Sequence, residues 1–138
     1  QVVWTDAKSH EFLEEAGTMN IFFRIGDKLL TAPINDRILD GVTRKSVIQI
    51  ARDSGIEVDI RPIRVDEIVK ASENNSLKEM FGSGTAVVIN PVRSFGFKGV
   101  NYKLTKLDNS FAMQLKDKIM SIQYNLSKDP YGWRVAVD

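Results

Sequence analysis

Three short stretches of the chain contain residue types that could bind a charged ligand. In the first, two adjacent acids, Glu14 and Glu15, precede a Gly-Thr step and then a strongly apolar run. A carboxylate beside an apolar strand is costly unless a positive group meets it. Either acid could pair with a cationic ring nitrogen of a cofactor. A solvated pair of acids at the end of an element is the commoner alternative, and the residues alone favour it.

The second stretch, residues 40–44 (DGVTR), lies at the start of a predicted helix. Glycine allows a tight turn there, and the amides of Val42 and Thr43 would point outward at the positive end of the helix dipole. With the Thr43 hydroxyl as a further donor, these groups could hold a phosphate. An ordinary helix start with a threonine cap uses the same residues, and caps far outnumber phosphate sites.

The third stretch, residues 81–86 (FGSGTA), places two glycines and two hydroxyls before a predicted strand. Such a turn can present successive amides to an anion, either a phosphate or a carboxylate. A flexible turn before a strand explains the same residues equally simply. The stretch is not a P-loop, because no Gly-Lys-Ser/Thr follows it.

Hydrophobic periodicity predicts the strands that would position these stretches. The predicted strands cover residues 2–4, 19–25, 28–32, 56–60, 86–89 and 100–104. The Gly26-Asp27 pair between the second and third indicates a hairpin, since glycine accepts the positive φ of a tight turn. The first strand and residues 86–89 are expected to be buried.

Three helices are predicted around those strands. The first covers residues 43–54 with Gly55 as its stop, and the second is capped by Asp66 and runs to about residue 72. Apolar residues at helical spacing make the last helix amphipathic, at positions Phe111, Leu115, Ile119, Ile122 and Leu126. The chain therefore mixes α and β without the regular βαβ alternation of a doubly wound sheet.

Composition limits the functional classes that remain. The 138 residues correspond to about one domain, and 43% hydrophobic with 27% charged residues is an ordinary globular composition. A net charge of +1 offers no electrostatic case for nucleic acid or an anionic membrane. The absence of cysteine excludes thiolate zinc sites and a cysteine nucleophile, and with His10 as the only histidine we expect no metal. No apolar run approaches 18 residues, and we expect a cytoplasmic protein.

Taken together, the three stretches resemble a known family. Residues 15–23 (EAGTMNIFF) resemble the E-x-G-T-M-N-x-F-F signature of branched-chain amino acid aminotransferases, which are class IV aminotransferases and fold type IV pyridoxal-phosphate enzymes. The resemblance continues through residues 38–44, 82–86, 123–124 and 129–133, and covers essentially the whole chain. Relatives such as D-amino acid aminotransferase and aminodeoxychorismate lyase keep the glutamate and the Asn-x-Phe but usually not the Gly-Thr-Met.

The resemblance implies pyridoxal 5'-phosphate as cofactor and a role for each matched residue. Glu15 would keep the pyridine nitrogen protonated, which makes the ring an electron sink. The cofactor phosphate would be bound by Val42 and Thr43, with Ser83 or Gly84 nearby. Thr85 and Ala86 would bind the substrate carboxylate through their amides, and Thr18 and Met19 would line the same pocket. No metal and no catalytic residue would lie in this chain, because the family's Schiff-base lysine would be upstream.

The implied fold is a mixed α+β one: part of the large C-terminal domain of the D-amino acid aminotransferase-like fold, with mixed strands in a pseudo-barrel and flanking helices. Residues 1–138 would be a single partial domain that lacks the small N-terminal domain. The whole enzyme would be a homodimer that moves an amino group between Leu, Ile or Val and the 2-oxo acid 2-oxoglutarate, with no nucleic-acid or membrane partner. The 138 residues alone should be inactive.

Two alternatives remain open. Within the same fold, the parent protein could be a D-amino acid aminotransferase or an aminodeoxychorismate lyase. In another class, the chain could be a non-catalytic phosphate-binding or interaction module, which only the two generic anion cradles favour.

Overall fold

The computed structural model of the chain describes residues 1–105 and 109–137. In chain order, its elements are β1 Val3–Thr5, β2 Phe12–Ala16, β3 Met19–Ile25, β4 Lys28–Thr31, α1 Val42–Asp53, β5 Glu57–Ile60, β6 Ile63–Arg64, α2 Val65–Glu73, β7 Leu77–Gly84, β8 Val88–Pro91, β9 Ser94–Phe97, β10 Val100–Lys103 and α3 Phe111–Gln123. Within that described part of the chain, none of the helices combines the length and the apolar character needed to cross a bilayer.

The main sheet is organised around β3. Strands β1 to β5 follow one another in order, β6 pairs with β2, and β7 pairs with both β3 and β8. The β4–β5 pair, which α1 connects, is parallel, and the other pairs of this sheet are antiparallel. Strands β9 and β10 form a separate two-stranded sheet. Because β3 pairs with β2, β4 and β7, the register of these pairs determines which residues of the three strands lie beside one another.

Alternate residues of β3 enter two separate cores, as the period of a strand requires. Phe22 packs with Leu29, Val47 and Leu115 between the sheet and helices α1 and α3, and it stacks on Phe81 with ring centroids 5.2 Å apart. Ile21 and Phe23 face a second cluster that includes Ile63, Ile68 and Met80. Full burial of each large side chain stabilises the fold by about 1.5–3 kcal/mol. Both faces of β3 are thus held rigidly.

The structure confirms the mixed α and β class and the elements with the clearest periodicity. The hairpin of β3 and β4 turns at Gly26, whose φ is +55°. Helix α1 ends at Asp53, and Gly55 with a φ of +77° follows as predicted. Four of the five apolar positions predicted for the last helix are buried in α3.

Three predicted details are wrong. Leu126 is 79% exposed because α3 ends at Gln123, before the expected face continues. Trp4 is 58% exposed because β1 is a short edge strand that pairs on one side only, with β2. Asp66 does not cap α2: the cap residue is Arg64 without a side-chain bond, and Asp66 lies in the first turn, paired with Arg64 at 2.9 Å.

The stretch at residues 81–86 is also different from the expected turn. Residues 81–84 are the last part of β7, and β8 begins only at Val88, so that Ala86 is exposed in the connection rather than buried in a strand. Gly82 and Gly84 continue the β7 ladder opposite Asn90 and Val88. The two glycines therefore continue the strand, and their lack of side chains lets Thr18 and Met19 pack closely against it.

The turn between β1 and β2 contains Asp6, the carboxylate whose pKa is shifted most strongly among the residues that the structure describes. Asp6 accepts hydrogen bonds from the backbone amides of Ser9 at 2.7 Å, and of Glu11 and Phe12 at 2.9 Å. The amides of Phe12 and then Ser9 are the main causes that hold the pKa of Asp6 well below its ordinary value of 3.8. Their bonds to the charged carboxylate favour its ionised form.

We therefore expect a pH-dependent contribution of Asp6 to stability. Because its folded pKa is depressed, the stabilisation is complete above the unfolded pKa near 3.8 and is lost as the pH falls through the folded value. Urea unfolding between pH 5 and 2 should show a shallower decline of the free energy of unfolding for Asp6→Asn than for the wild type. Parallel curves for the two proteins would contradict this expectation.

Candidate functional site

A cavity of about 480 Å³ brings the three stretches together, and we call it the polar cavity because seven of its lining residues have polar side chains. It is lined by Glu15, Gly17, Thr18, Met19, Asn20, Leu39, Asp40, Gly41, Val42, Thr43, Ser83, Gly84 and Thr85. Of the predicted site residues, only Ala86 is outside this lining, at the next position after Thr85. Residues that are up to 70 positions apart in sequence thus share one site.

A second cavity, of about 550 Å³, is lined mainly by residues with apolar side chains. Its walls include Leu13, Ile21, Met80 and Phe95, and Met19 is the only predicted site residue among them. The polar cavity is therefore the candidate site, and Met19 lies between the two spaces.

The sheet register sets the width of the polar cavity. Glu15 of β2 lies opposite Asn20 of β3, and Asn20 lies opposite Ser83 of β7. Since neighbouring strands are about 4.8 Å apart, the backbones of Glu15 and Ser83 are separated by about 10 Å. The Glu15 carboxylate and the Ser83 hydroxyl are thus held on the two strands that flank Asn20.

Only one of the two adjacent acids lines the cavity. Glu14 is buried, and its Oε1 accepts a hydrogen bond of 2.5 Å from Nε of Arg37. This hydrogen bond and then the charge of Glu14 raise the pKa of Arg37. Glu15 is half-buried, and its Oε2 accepts from the backbone amide of Leu39 at 3.1 Å. The structure thus distinguishes the two acids: Glu14 forms a buried ion pair, and Glu15 lines the cavity.

Helix α1 presents its positive end to the same cavity. Its cap residue is Gly41, and the first turn of the helix contains no acid. Among the residues that the structure describes, no side chain caps the free amides at this end. The first amides of a helix have no partner within the helix, so those of Val42 and Thr43 remain available to an anion. The threonine-cap alternative is wrong, because Thr43 is the second residue of the helix and does not cap it.

The two cations of this helix turn, Arg44 and Lys45, do not line the cavity. Arg44 is buried and donates from Nη2 to the carbonyl of Ala32 at 2.9 Å, and this burial lowers the pKa of its guanidinium. Lys45 pairs with Asp40 at 2.5 Å. Arg44 thus anchors α1 to the end of β4 and does not line the cavity.

Ser83 contributes a buried polar atom that nothing else uses. The residue is 1% exposed, and its Oγ has no hydrogen-bond partner within residues 1–105 and 109–137. An unpaired buried hydroxyl costs about 1–3 kcal/mol. Since Ser83 lines the cavity, a ligand with a polar group at that side would recover this cost.

The glycines of β7 allow the β2–β3 turn to lie directly on this strand. A Cβ at Gly82 would come within 2.8 Å of Sδ of Met19, and one at Gly84 within 3.1 Å of the carbonyl oxygen of Thr18. Thr18 and Met19 therefore form a wall of the cavity because β7 has no side chains there.

Five lining residues are not among the predicted site residues: Gly17, Asn20, Leu39, Asp40 and Gly41. One signal was available for Asn20, since a single amide interrupts the apolar run of residues 19–23. Leu39 contributes through its backbone, which no residue pattern reveals.

The cavity combines the Glu15 carboxylate on one side with amide and hydroxyl donors on the other, and the second carboxylate in its lining, Asp40, is paired with Lys45. This arrangement complements a ligand with a cationic end and an anionic end. Among the described residues, no group of three or more His, Cys, Asp or Glu side chains could hold a metal ion.

Comparisons with known proteins show the family to which the chain belongs. A family model described as "Amino-transferase class IV" matches residues 1–95. The chain is 40% identical to a probable branched-chain-amino-acid aminotransferase of Staphylococcus epidermidis over 99% of its length, but it spans only 38% of that relative.

Two solved structures share the fold. One is a branched-chain amino acid aminotransferase from Escherichia coli, with a TM-score of 0.73 at 24% identity, over 95% of this chain and 41% of that one. The other is an aminotransferase from Brucella abortus bound to the cofactor PLP, with a TM-score of 0.64 at 21% identity, over 82% and 36%. The predicted fold is therefore confirmed.

Proposed function

The chain belongs to the class IV aminotransferases, and from that premise we propose that it is part of a branched-chain amino acid aminotransferase. The whole enzyme would move an amino group between Leu, Ile or Val and 2-oxoglutarate. The names of the Staphylococcus epidermidis and Escherichia coli proteins support this substrate class. The single observation that carries the proposal is the polar cavity, which joins Glu15, the start of α1 and Ser83.

The residues present fit pyridoxal 5'-phosphate, the cofactor of the Brucella abortus protein. Its ring nitrogen is a base that a carboxylate can hold in the cationic form, and its phosphate is an anion. The cavity offers Glu15 for the first, and unused helix amides and the unpartnered Ser83 hydroxyl for the second. When bound, this cofactor supplies an electron sink for the substrate carbon that loses a proton.

We propose the following roles for the chain's own residues. Glu15 stabilises positive charge at the ring nitrogen. The amides of Val42 and Thr43 and the Thr43 hydroxyl bind the phosphate, with Ser83 or Gly84 beside it. Thr85 and Ala86 bind the substrate carboxylate through their amides, and Thr18 and Met19 form the pocket wall.

The wider assignments are also proposals. Residues 1–138 would be the C-terminal part of the cofactor-binding domain, with the catalytic lysine and the small N-terminal domain upstream. The match to 38% of the Staphylococcus epidermidis relative supports the view that these residues are part of a longer protein. The parent enzyme would be a cytoplasmic homodimer.

The phosphate assignment predicts a measurable loss of affinity in Thr43→Val. A hydrogen bond to a charged group contributes about 1.5–3 kcal/mol, so removing the hydroxyl should weaken binding of pyridoxal 5'-phosphate to the purified chain at least tenfold. Isothermal titration calorimetry would measure this affinity. Thr43→Ser retains the hydroxyl and should bind within about threefold of the wild type.

A matched control lies one turn further along the helix. Ser46→Ala removes a hydroxyl that bonds to the carbonyl of Val42 at 3.3 Å and does not line the cavity. Equal affinities for the Thr43→Val and Ser46→Ala variants would reject the assignment of Thr43.

Substrate profiling of the full-length enzyme tests the substrate class. We expect amino transfer from leucine to 2-oxoglutarate. Activity on D-alanine without activity on leucine would reject the proposed class in favour of a D-amino acid aminotransferase.

A further inference from the structure

Asn20 is a buried amide whose hydrogen bond reaches out of its own sheet. It is 5% exposed within the central strand β3, and its Nδ2 donates to the carbonyl of Leu39 at 2.8 Å. The amide of Leu39 in turn donates to Oε2 of Glu15, the residue that lies opposite Asn20 in the sheet. Asn20 and Glu15, which are neighbours across the sheet, therefore bond to the backbone carbonyl and the backbone amide of Leu39 in the loop before α1.

The same carbonyl also defines the turn that leads into the helix. The amide of Gly41 donates to the Leu39 carbonyl at 2.9 Å, so this oxygen accepts from Gly41 and from Asn20 together. Gly41 is the cap residue of α1. The hydrogen bond from Asn20 therefore holds a carbonyl that lies only three residues before the free amide of Val42 at the helix start.

Gly41 is required here for space and not for backbone freedom. Its φ of −64° and ψ of 134° suit any residue. A Cβ at this position would, however, overlap Oδ1 of Asn20. The Asn20 side chain thus packs against the cap residue as well as bonding to the turn, and it holds the helix start by two independent contacts.

A buried amide in an apolar strand is costly unless its hydrogen bonds are made. Arg44 already anchors α1 to β4 from the opposite side, through the Ala32 carbonyl. Besides the ion pair between Asp40 and Lys45 of α1, the described side-chain hydrogen bonds to the turn at residues 39–41 come from Glu15 and Asn20. This leaves a specific task for Asn20: to set the distance between the Glu15 carboxylate and the helix amides.

We propose that Asn20 is a positioning residue that aligns the amides of Val42 and Thr43 with Glu15, so that one ligand can contact both. This inference rests on the proposed function, because it assigns those amides to the cofactor phosphate. Asn20 itself would not need to touch the ligand. Its effect passes through the Leu39 carbonyl and through Gly41.

The test is a double-mutant cycle on the full chain with Asn20→Ala and Gly41→Ala. Binding of inorganic phosphate and of pyridoxal 5'-phosphate is measured by calorimetry, and the amides of Val42 and Thr43 are followed by ¹⁵N NMR without ligand. Asn20→Ala should weaken binding about tenfold, the value of one hydrogen bond. Gly41→Ala should do the same, because its Cβ displaces Asn20 from the Leu39 carbonyl.

The double variant provides the decisive comparison. With the Asn20 side chain removed, the Cβ at residue 41 has room, so Gly41→Ala should cause no further loss in that background. Such non-additivity is expected only when both changes act through the same contact. The Val42 and Thr43 amide signals should shift in both single variants.

Two controls separate this effect from general loss of structure. Gly96→Ala adds a Cβ with no described atom closer than 3.9 Å, and Asn90→Ala removes an exposed amide from β8. Both should bind as the wild type does. Should Asn20→Ala not fold, Gly41→Ala still tests the contact, because its backbone angles suit alanine.

Two results would overturn the inference alone: wild-type affinity in Gly41→Ala, or losses that add in the double variant. Failure of the wild-type chain to bind either ligand would overturn the phosphate assignment and this inference with it. The wild-type measurement therefore distinguishes the two failures.

Discussion

Replacing Glu15 by glutamine should lower the transamination rate of the full-length enzyme by about 10- to 1000-fold. An opposite charge at 4–6 Å moves a pKa by about 1–3 units, and each unit corresponds to a factor of ten in the protonation equilibrium. Glutamine keeps a side-chain oxygen that can still accept from the Leu39 amide, so the substitution removes the charge and retains the contact. A pH titration of the absorbance of the bound cofactor would show the same change without relying on turnover.

Glu14→Gln is the matched control for that experiment. The two acids are adjacent in β2, but Glu14 is bonded to Arg37 and does not line the cavity. We expect the Glu14 variant to retain the wild-type absorbance titration and rate. A loss of rate in the Glu14 variant with a normal rate in the Glu15 variant would reverse the assignment of the two acids.

Glu79→Ala should destabilise the fold by about 3–5 kcal/mol. Glu79 is 7% exposed and accepts three hydrogen bonds of 2.9 Å, from Arg24 and from the amides of Phe111 and Ala112. It therefore caps the start of α3 and pairs with a cation that also lies 5.5 Å from the centre of the Phe111 ring. Removing one member of a buried pair leaves the other charge without compensation, which accounts for the size of the loss.

An exposed pair in the same sheet provides the comparison. Lys28 and Glu57 are 2.7 Å apart, and their side chains are 55% and 63% exposed. Solvent screens such a pair, and Glu57→Ala should cost about 0–1 kcal/mol. Urea unfolding followed by circular dichroism measures both variants. Similar losses in the two variants would show that burial of Glu79 does not have the expected consequence.

The elements of this fold could be predicted where they depend on local pattern. The β3–β4 hairpin follows from two apolar runs around Gly26, and α1 and α3 follow from helical spacing and a glycine stop. These features require only neighbours in sequence. The error at Trp4 concerns burial, which depends on the strands packed beside β1, and the error at Leu126 concerns the residue at which α3 ends.

The candidate site was predictable in a similar, partial way. The residues at 15–19, 42–43 and 83–85 could be chosen by type and by family resemblance. Taken one at a time, however, the two predicted anion sites were explained equally well as an ordinary helix cap and an ordinary turn. Their convergence in one cavity depends on the pairing of β3 with β2 and β7, which sequence pattern does not specify. Asn20 illustrates the limit, since its bonding partner is a backbone carbonyl 19 residues away.

The amino-acid sequence by itself determined the helices, the hairpin, the absence of thiol chemistry and the residue types available for binding, because these depend on composition and short-range periodicity. Only the tertiary structure decided that Glu14 pairs with Arg37 while Glu15 lines the cavity, that residues 81–84 are strand, and that the buried Ser83 hydroxyl has no partner in the part of the chain that the structure describes. Each of these outcomes depends on strand register and on backbone groups brought together from distant parts of the chain. Such contacts arise from packing of the whole domain, and a local sequence pattern contains no record of them.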